Sequence, residues 1–194
     1  MINADDMFRT FQPLREDALV IVTGTAGKHW VDHTTKQNRD LNMGGAMGHT
    51  TPAALGLALG LPDEKVVLFD SEGALLMNLG IIATIAGQAP KNFVHLLMDN
   101  ECYATTGGQP VPNAQDINYA GMAKEAGYAA AYSFDNIEDF ATNIGKIMQE
   151  TGPVFVAMKI VPEVENEPIG QRTRRPSRSR AETIRTLREE LGIS

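Results

Sequence analysis

The chain has 194 residues, of which 43% are hydrophobic and 21% are charged, and this composition excludes a wholly disordered protein. A formal net charge of −7 argues against a general nucleic-acid binder, and the single cysteine, Cys102, excludes an internal disulfide framework. The sequence has no apolar run of about 18 residues that would span a membrane, and residues 1–6 do not resemble a signal peptide. We therefore expect a cytoplasmic protein.

Short apolar runs alternate with helical patterns along the chain. Strands are predicted at residues 18–23, 65–69, 93–98, 129–134 and 153–160, and the first of them ends in the turn Gly24–Gly27. Helices are predicted at residues 51–60, 74–86, 118–127 and 137–150. Pro52 lies in the first turn of the first helix behind a threonine cap, and the second helix is apolar nearly all round, as expected between a sheet and another subunit. The alternation predicts an α/β fold with helices on both faces of a parallel sheet.

The sequence indicates one domain followed by a basic tail. We assign residues 1–165 to the domain and residues 166–194 to the tail, because Pro, Glu and Arg dominate after Val161 until a short closing helix. Ser179 and Glu182 form a capping-box pattern for that helix, whose apolar stripe is Ile184, Leu187 and Leu191. Five arginines lie within nine positions: Arg172, Arg174, Arg175, Arg178 and Arg180. We expect a solvated tail or a docking segment for an acidic partner, and the alternative is an anion site for a substrate.

Oxygen-bearing side chains follow two of the predicted strands. Asp70, Ser71 and Glu72 come after residues 65–69, and Asp99 and Asn100 come after residues 93–98. Because ligands of a parallel sheet gather at the carboxyl ends of its strands, these side chains predict a Mg²⁺ site that holds a diphosphate. A plain strand-to-helix turn is the alternative for Asp-Ser-Glu-Gly taken alone.

The expected metal ligands are the Glu72 carboxylate, the Asn100 side-chain carbonyl and a backbone carbonyl near Cys102. Backbone N–H groups at Gly73 and the helix behind it would face the phosphates. Thr105 and Thr106 would add hydroxyls from the opposite side.

Ser71-Glu72-Gly73 and Asp99-Asn100 resemble the motif of thiamine-diphosphate-dependent enzymes, in which Gly-Asp-Gly is followed later in the chain by Asn-Asn. Segments 45–49, 75–80, 83–85 and 106–110 resemble the sequences of phosphonopyruvate and sulfopyruvate decarboxylases. The resemblance covers residues 17–160 and implies the diphosphate-binding domain of the thiamine-diphosphate-binding fold.

The resemblance also implies roles for individual residues. Gly45 would offer its carbonyl to the 4′-amine of the aminopyrimidine, and Met47 would be the bulky wedge that holds the cofactor bent. The implied cofactor contacts are Thr25, Gly45, Met47, Glu72, Gly73, Ala74, Asn100, Tyr103, Thr105 and Thr106, and the implied metal ligands are Glu72, Asn100 and Cys102. We expect Met47 and His49 to be catalytic, since a histidine directly after the wedge turn can transfer protons near neutral pH.

Three positions depart from the family pattern. Glu72 stands where the family has Asp, Ser71 where it has the first Gly, and Ala74 where many members have Ser. The extra methylene of Glu72 would shift the metal or the loop, which leaves a non-catalytic domain as an alternative.

Three further histidines have no place in the motif. His29 and His33 are candidates for proton transfer near a substrate, with surface or interface polarity as the alternative. His95 lies within a predicted strand and is expected to be structural.

The resemblance implies a β-type subunit of a thiamine-diphosphate- and Mg²⁺-dependent 2-oxo acid decarboxylase. Its substrate would be an anionic 3-substituted pyruvate, sulfopyruvate or phosphonopyruvate, and its products CO₂ and an aldehyde. A partner subunit of the α type would supply the pyrimidine-binding domain and an activating glutamate, and neither nucleic acid nor membrane is an expected partner. The alternatives are an acetolactate-synthase-like carboligase subunit and a non-catalytic thiamine-diphosphate-binding subunit.

Overall fold

The computed structural model describes residues 1–43, 47–168, 171 and 178–193. Its strands are β1 (Leu19–Val22), β2 (Asp40–Asn42), β3 (Val66–Ser71), β4 (Phe93–Asp99), β5 (Cys102–Tyr103), β6 (Gln109–Pro110), β7 (Ala130–Phe134) and β8 (Val154–Lys159). Its helices are α1 (Ala4–Phe11), α2 (Gly24–Trp30), α3 (Thr50–Gly60), α4 (Glu72–Leu76), α5 (Ile81–Gln88), α6 (Tyr119–Ala126), α7 (Ile137–Ile147) and α8 (Arg180–Glu190). All five predicted strands are therefore present within one or two residues of their predicted bounds.

Six strands form a parallel sheet in the order β2-β1-β3-β4-β8-β7, and β5 and β6 pair separately as a small antiparallel hairpin. The chain moves outward from β1 to β2 and then returns to place β3 on the other side of β1. The order thus reverses between β1 and β3, and a crevice for ligands opens at the carboxyl ends of strands at such a reversal.

Each face of the sheet has its own core. Val20 and Val22 of β1 pack with α1, α2 and α7, whereas Leu19 and Ile21 pack with α3, α5 and α6, since successive residues of a strand point to opposite faces. Burial on both faces explains why the strands are continuous apolar runs rather than alternating ones. The predicted α/β class with helices on both faces is confirmed.

Helix α1 had no counterpart in the predicted elements. The Asn3 side chain accepts hydrogen bonds from the N–H groups of Asp5 and Asp6 and so caps the helix. Phe8 and Phe11 are buried against Trp30 and Phe69, with ring centroids 4.9 to 5.8 Å apart. The N-terminal segment is therefore part of the core.

The turn predicted at Gly24–Gly27 was wrong, because α2 begins at Gly24. Gly24 has φ of +53°, a conformation that favours glycine and turns the chain sharply from β1 into the helix. The edge strand β2 was also missed, since three residues are too few to show a period.

The single helix predicted at residues 74–86 was wrong. The structure contains α4 and α5, separated by residues 77–80. The Asn78 side-chain amide donates to the Gly48 carbonyl at 3.0 Å, and Gly80 lowers helix propensity at the break. The predicted threonine cap of α3 was wrong as well: the cap position is His49, and the Thr51 hydroxyl instead donates to Asp70 Oδ2 at 2.6 Å.

The closing helix α8 has the predicted cap, because Ser179 Oγ accepts from the Glu182 N–H at 3.2 Å. Leu187 is buried and Leu191 is half-buried, but Ile184 is exposed, so the predicted stripe is narrower than expected. Arg178 donates to Asn38 Oδ1 and Thr186 Oγ1, both at 3.1 Å. Arg172, Arg174 and Arg175 lie outside the described residues, and the division of the chain at residue 165 stays a prediction.

Within the described ranges, no helix is both long enough and apolar enough to cross a lipid bilayer.

Replacement of Phe8 by Ala tests the contribution of α1. We expect the free energy of unfolding in urea to fall by about 3 to 5 kcal/mol, because a fully buried aromatic ring is lost and a cavity remains. Met122→Ala, at an exposed position of α6, is the control and should change it by less than about 0.5 kcal/mol. Equal effects of the two substitutions would show that α1 is not part of the core.

Candidate functional site

Two predicted ligands meet at the carboxyl ends of β3 and β4. The Cys102 N–H donates to both Glu72 Oε1 and Asn100 Oδ1, each at 3.2 Å. Since one N–H group reaches both oxygens, the two side chains converge on the same point. The structure thus brings together two side chains that lie 28 positions apart in the sequence.

The second oxygen of the Glu72 carboxyl group has no hydrogen-bond partner among the described residues, although the residue is only 1% exposed. Burial and, to a smaller extent, the neighbouring Asp99 raise the pKa of Glu72 to about 7, against hydrogen bonds from backbone N–H groups that lower it. A buried carboxyl group with a free oxygen is costly unless a cation or a proton compensates it.

Contacts among Asp99, Glu101 and Lys159 stabilise the turn that contains Asn100. Glu101 has φ of +65°, uncommon for a residue other than glycine, and its N–H donates to Asp99 Oδ1 at 3.2 Å. Lys159 Nζ, at the end of β8, lies 2.8 Å from Asp99 Oδ2 and 2.8 Å from Glu101 Oε1. Asp99 therefore stabilises the turn rather than ligating the cation, and Lys159 was missed although it lies in the last predicted strand.

Gly73 lies next to the side chains of Tyr103 and Met47, two of the predicted cofactor contacts. A Cβ atom at Gly73 would be 2.7 Å from Tyr103 Cε1 and 3.4 Å from Met47 Cε. The Tyr103 ring and the Met47 side chain, which is 41% exposed, thus meet above this glycine. Ala74 is buried in α4. Because α4 has only five residues, its dipole adds little to phosphate binding.

The Met47–His49 turn packs against α4 and the segment after it. Gly48 has φ of +79°, and a Cβ atom there would be 3.3 Å from those of Met77 and Asn78. The His49 ring is exposed, and its Nδ1 lies 3.1 Å from the Met47 carbonyl oxygen. Gly45 lies outside the described residues.

The predicted threonines lie around the crevice rather than at Glu72. Thr25 is half-buried in α2, and a Cβ atom at the neighbouring Gly24 would be 3.6 Å from Ser71 Oγ. Thr105 and Thr106 are exposed in the short helical turn after Tyr103, which contacts α2. The Thr106 hydroxyl donates to the Tyr103 carbonyl at 3.3 Å.

The sequence profile described as thiamine pyrophosphate enzyme, C-terminal TPP binding domain, matches residues 23–158. The chain belongs to this family. Phosphonopyruvate decarboxylase from Streptomyces hygroscopicus is 35% identical over 143 residues, which are 73% of this chain and 35% of that protein. Sulfopyruvate decarboxylase subunit beta from Methanothermobacter thermautotrophicus is 35% identical over 131 residues, which are 68% of this chain and 67% of that subunit.

This thiamine pyrophosphate enzyme domain spans about a third of the length of the phosphonopyruvate decarboxylase, as its 35% coverage shows, but two thirds of the length of the sulfopyruvate decarboxylase subunit. Its fold is shared with 2-oxoglutarate:ferredoxin oxidoreductase from Magnetococcus marinus, with a TM-score of 0.65 and 17% identity. That match covers 98% of this chain and 84% of the other.

The residues present fit a divalent cation that carries a diphosphate. One buried carboxylate oxygen is free, a second carboxylate oxygen and an amide oxygen adjoin it, and all are hard ligands of the kind that Mg²⁺ prefers. No group of three or more His, Cys, Asp or Glu side chains in the described part of the chain could hold a metal by itself. Burial and the nearby Glu72 and Glu101 raise the pKa of the Cys102 thiol, which disfavours the thiolate that would bind a metal.

His29 of α2 and His33, which follows this helix, connect it with α1. His29 Nδ1 and His33 Nε2 lie 3.0 and 2.9 Å from Asp5 Oδ1, and His29 Nε2 lies 3.2 Å from Glu163 Oε2. Hydrogen bonds from the two imidazoles lower the pKa of Asp5. These contacts give both histidines a structural role.

His95 is fully buried beneath the candidate site, as expected of a structural residue. Its Nδ1 lies 3.2 Å from Tyr128 Oη, and its Nε2 lies 3.3 Å from Asp70 Oδ2, which also accepts from Thr51. Asp70 Oδ1 accepts from the Ser71 N–H at 2.9 Å. This network joins α3 to β3 directly before Glu72.

The raised pKa of Glu72 predicts how stability depends on pH. Without metal and cofactor, the folded protein keeps the Glu72 proton between the ordinary pKa of 4.5 and about 7, whereas the unfolded chain releases it. The free energy of unfolding should therefore fall by about 3 kcal/mol as the pH rises through this window. Urea unfolding at pH values from 4.5 to 8 measures the fall.

Glu72→Gln should remove most of this dependence, and Glu125→Gln, at an exposed position of α6, should keep it. Burial also raises the pKa of Asp99. Its contribution to the pH dependence of the free energy of unfolding therefore remains in both variants. A pH profile of Glu72→Gln as steep as that of the unmodified protein would contradict the assignment.

Proposed function

We propose that the chain is the diphosphate-binding, β-type subunit of a thiamine-diphosphate- and Mg²⁺-dependent 2-oxo acid decarboxylase. The observation that carries the proposal is the convergence of Glu72 and Asn100 on the Cys102 N–H, with one buried Glu72 oxygen left free. The names of the relatives support an anionic 3-substituted pyruvate, sulfopyruvate or phosphonopyruvate, as the substrate. The carboxylate leaves as CO₂, a proton takes its place, and an aldehyde is released.

In this proposal, bound thiamine diphosphate supplies the electron sink that makes loss of CO₂ possible. Glu72, Asn100 and a backbone carbonyl near Cys102 hold the cation, and Met47 and Tyr103 meet above Gly73 and shape the surface for the cofactor. If His49 Nδ1 donates to the Met47 carbonyl, Nε2 is the nitrogen that can accept or deliver a proton. Gly45, Thr25, Ala74, Thr105 and Thr106 keep the contacts that the family resemblance implies.

The partner subunit would add the carboxylate that activates the pyrimidine ring, so it has to approach the crevice at the carboxyl ends of the strands. Helix α3 begins at that edge, directly after His49, and packs beside α5. Residues 50–61 and 73–90 contain no charged side chain. A Cβ atom at Gly56, Gly60, Gly80 or Gly87 would meet nothing within 4 Å, and Leu59 and Ala83 are exposed. We propose that this α3–α5 face packs against the partner subunit.

Ala83→Glu tests the α3–α5 face. We expect it to abolish the complex with a co-expressed α-type subunit in sedimentation velocity, because a charge would be buried without a partner. The free energy of unfolding of the isolated chain should change by less than about 0.5 kcal/mol, since Ala83 is exposed. Glu138→Ala, at an exposed position of α7, is the control, and an intact complex with Ala83→Glu would refute the assignment of this face.

Calorimetric titration of thiamine diphosphate with Mg²⁺, with and without the partner subunit, tests the function itself. Binding should be lost in Glu72→Ala, because the carboxylate ligand is removed, and retained in Glu125→Ala. With sulfopyruvate or phosphonopyruvate, the complex should release CO₂ and an aldehyde. No binding in either preparation would refute the proposal, and a condensed hydroxyketone as the product would indicate a carboligase instead.

Glu72→Asp separates an adapted site from a degenerate one. We expect weaker cofactor binding by about 10-fold, because the surroundings of Glu72 are built for the longer side chain. A large gain in affinity would indicate a domain that has lost its original metal binding.

A further inference from the structure

Tyr119 carries a second buried polar atom for which the described residues offer no partner. It is the first residue of α6 and is 2% exposed, and its hydroxyl makes no hydrogen bond. A buried hydroxyl without a partner destabilises the fold, because it has lost its hydrogen bonds to water. The other buried tyrosine, Tyr128, differs in this respect because its hydroxyl lies 3.2 Å from His95 Nδ1.

Tyr119 begins α6 at the edge of the sheet that carries the candidate metal site. The loop that leaves Asn100 at the carboxyl ends of the strands returns to the sheet at α6, so the start of this helix lies at the same edge. Burial raises the pKa of Tyr119, and the charges of Asp99, Glu72 and Tyr103 raise it as well.

Glu72 Oε2 and Tyr119 Oη, two of the six buried side-chain atoms without a partner among the described residues, have matching requirements. The carboxylate oxygen can ligate a cation, and a hydroxyl can accept from a water on that cation or donate to a phosphate oxygen. We propose that Tyr119 is a positioning residue for the cation, with its hydroxyl hydrogen-bonded to a cation-bound oxygen on the Glu72 side. This inference rests on the proposed function.

The consequence is that Tyr119 sets metal affinity without being a ligand. Groups that orient the ligands of a metal change its affinity by about 10- to 100-fold when they are removed. The phenyl ring packs in the core shared by α3, α5 and α6, and it needs no hydroxyl for that contact. Tyr119→Phe therefore removes the proposed hydrogen bond and leaves the packing.

The test uses Mn²⁺ as the probe, with free Mn²⁺ measured by electron paramagnetic resonance. The full chain, with its partner subunit where the complex forms, is titrated with Mn²⁺ alone and with Mn²⁺ and thiamine diphosphate. We expect Tyr119→Phe to weaken Mn²⁺ binding by about 10-fold. Its free energy of unfolding without metal should be unchanged or higher, because an unpartnered hydroxyl is gone.

Tyr128→Phe is the matched control, since it removes the hydroxyl of a buried tyrosine that has a partner. It should lower the free energy of unfolding and change Mn²⁺ affinity far less than Tyr119→Phe does, because Tyr128 contacts none of the proposed ligands. The opposite signatures separate a positioning role from a general loss of packing. Coupling of Tyr119→Phe with Glu72→Asp in a double-mutant cycle gives a second, independent measurement of the same interaction.

Weaker binding of Mn²⁺ alone would identify the cation-bound oxygen as a water, and weaker binding only with thiamine diphosphate would identify it as a phosphate oxygen; both results support the inference. Mn²⁺ affinity equal to that of the unmodified protein in both titrations would overturn it. If the unmodified protein does not bind Mn²⁺ with thiamine diphosphate, the proposed function itself fails, so the two failures are distinguishable.

Discussion

The parallel register of β3 and β4 is the constraint on which the rest of the site depends. Asp70 lies opposite Leu97, and Ser71 lies opposite Met98. The two strands therefore end side by side, and Glu72 and Asn100, which follow them, lie close together. A slip of one residue would turn the side chains of one strand to the other face and separate the two groups. The central strands are buried on both faces, which leaves the register little freedom to slip.

The carboxyl edge of the sheet carries buried polar groups that the described residues leave without a partner. Lys159 neutralises Asp99 and holds Glu101, but no cationic side chain pairs with Glu72 in the described part of the chain. The Glu72 carboxyl group therefore holds a proton at higher pH than usual, and Tyr119 keeps a hydroxyl without a partner. Local cost of this kind is typical of functional sites, because the missing partner is supplied by the ligand.

Beneath this edge, the structure is stabilised by groups that take no part in ligand contacts. Asp70, His95 and Tyr128 form a buried chain of contacts that also holds Thr51 at the start of α3. Because that helix follows the Met47–His49 turn, the network fixes the position of this turn relative to β3, the strand that Glu72 follows. This buried network and the unpartnered groups of Glu72 and Tyr119 above it together form a site that is preorganised for a cation and a diphosphate.

Much of this arrangement follows from local sequence patterns, and the remainder follows from contacts between distant residues. The apolar runs determined five of the six strands of the main sheet, and their regular alternation with helices determined the parallel α/β fold, because burial on both faces leaves a continuous signal. The clusters after β3 and β4 determined the position of the candidate ligands, since the carboxyl ends of parallel strands share one edge.

Other features were decided only by tertiary contacts. The break between α4 and α5 depends on the hydrogen bond from Asn78 to Gly48. The place of α1 in the core depends on the contacts of Phe8 and Phe11 with Phe69. The unpartnered hydroxyl of Tyr119 depends on the return of the chain to the sheet at α6. None of these contacts has a local period or spacing, so no window of the sequence contains them. The sequence by itself determined which strands exist and where their polar ends lie, whereas the tertiary structure decided which of those polar groups are left without a partner, because partnership is a property of distances in space.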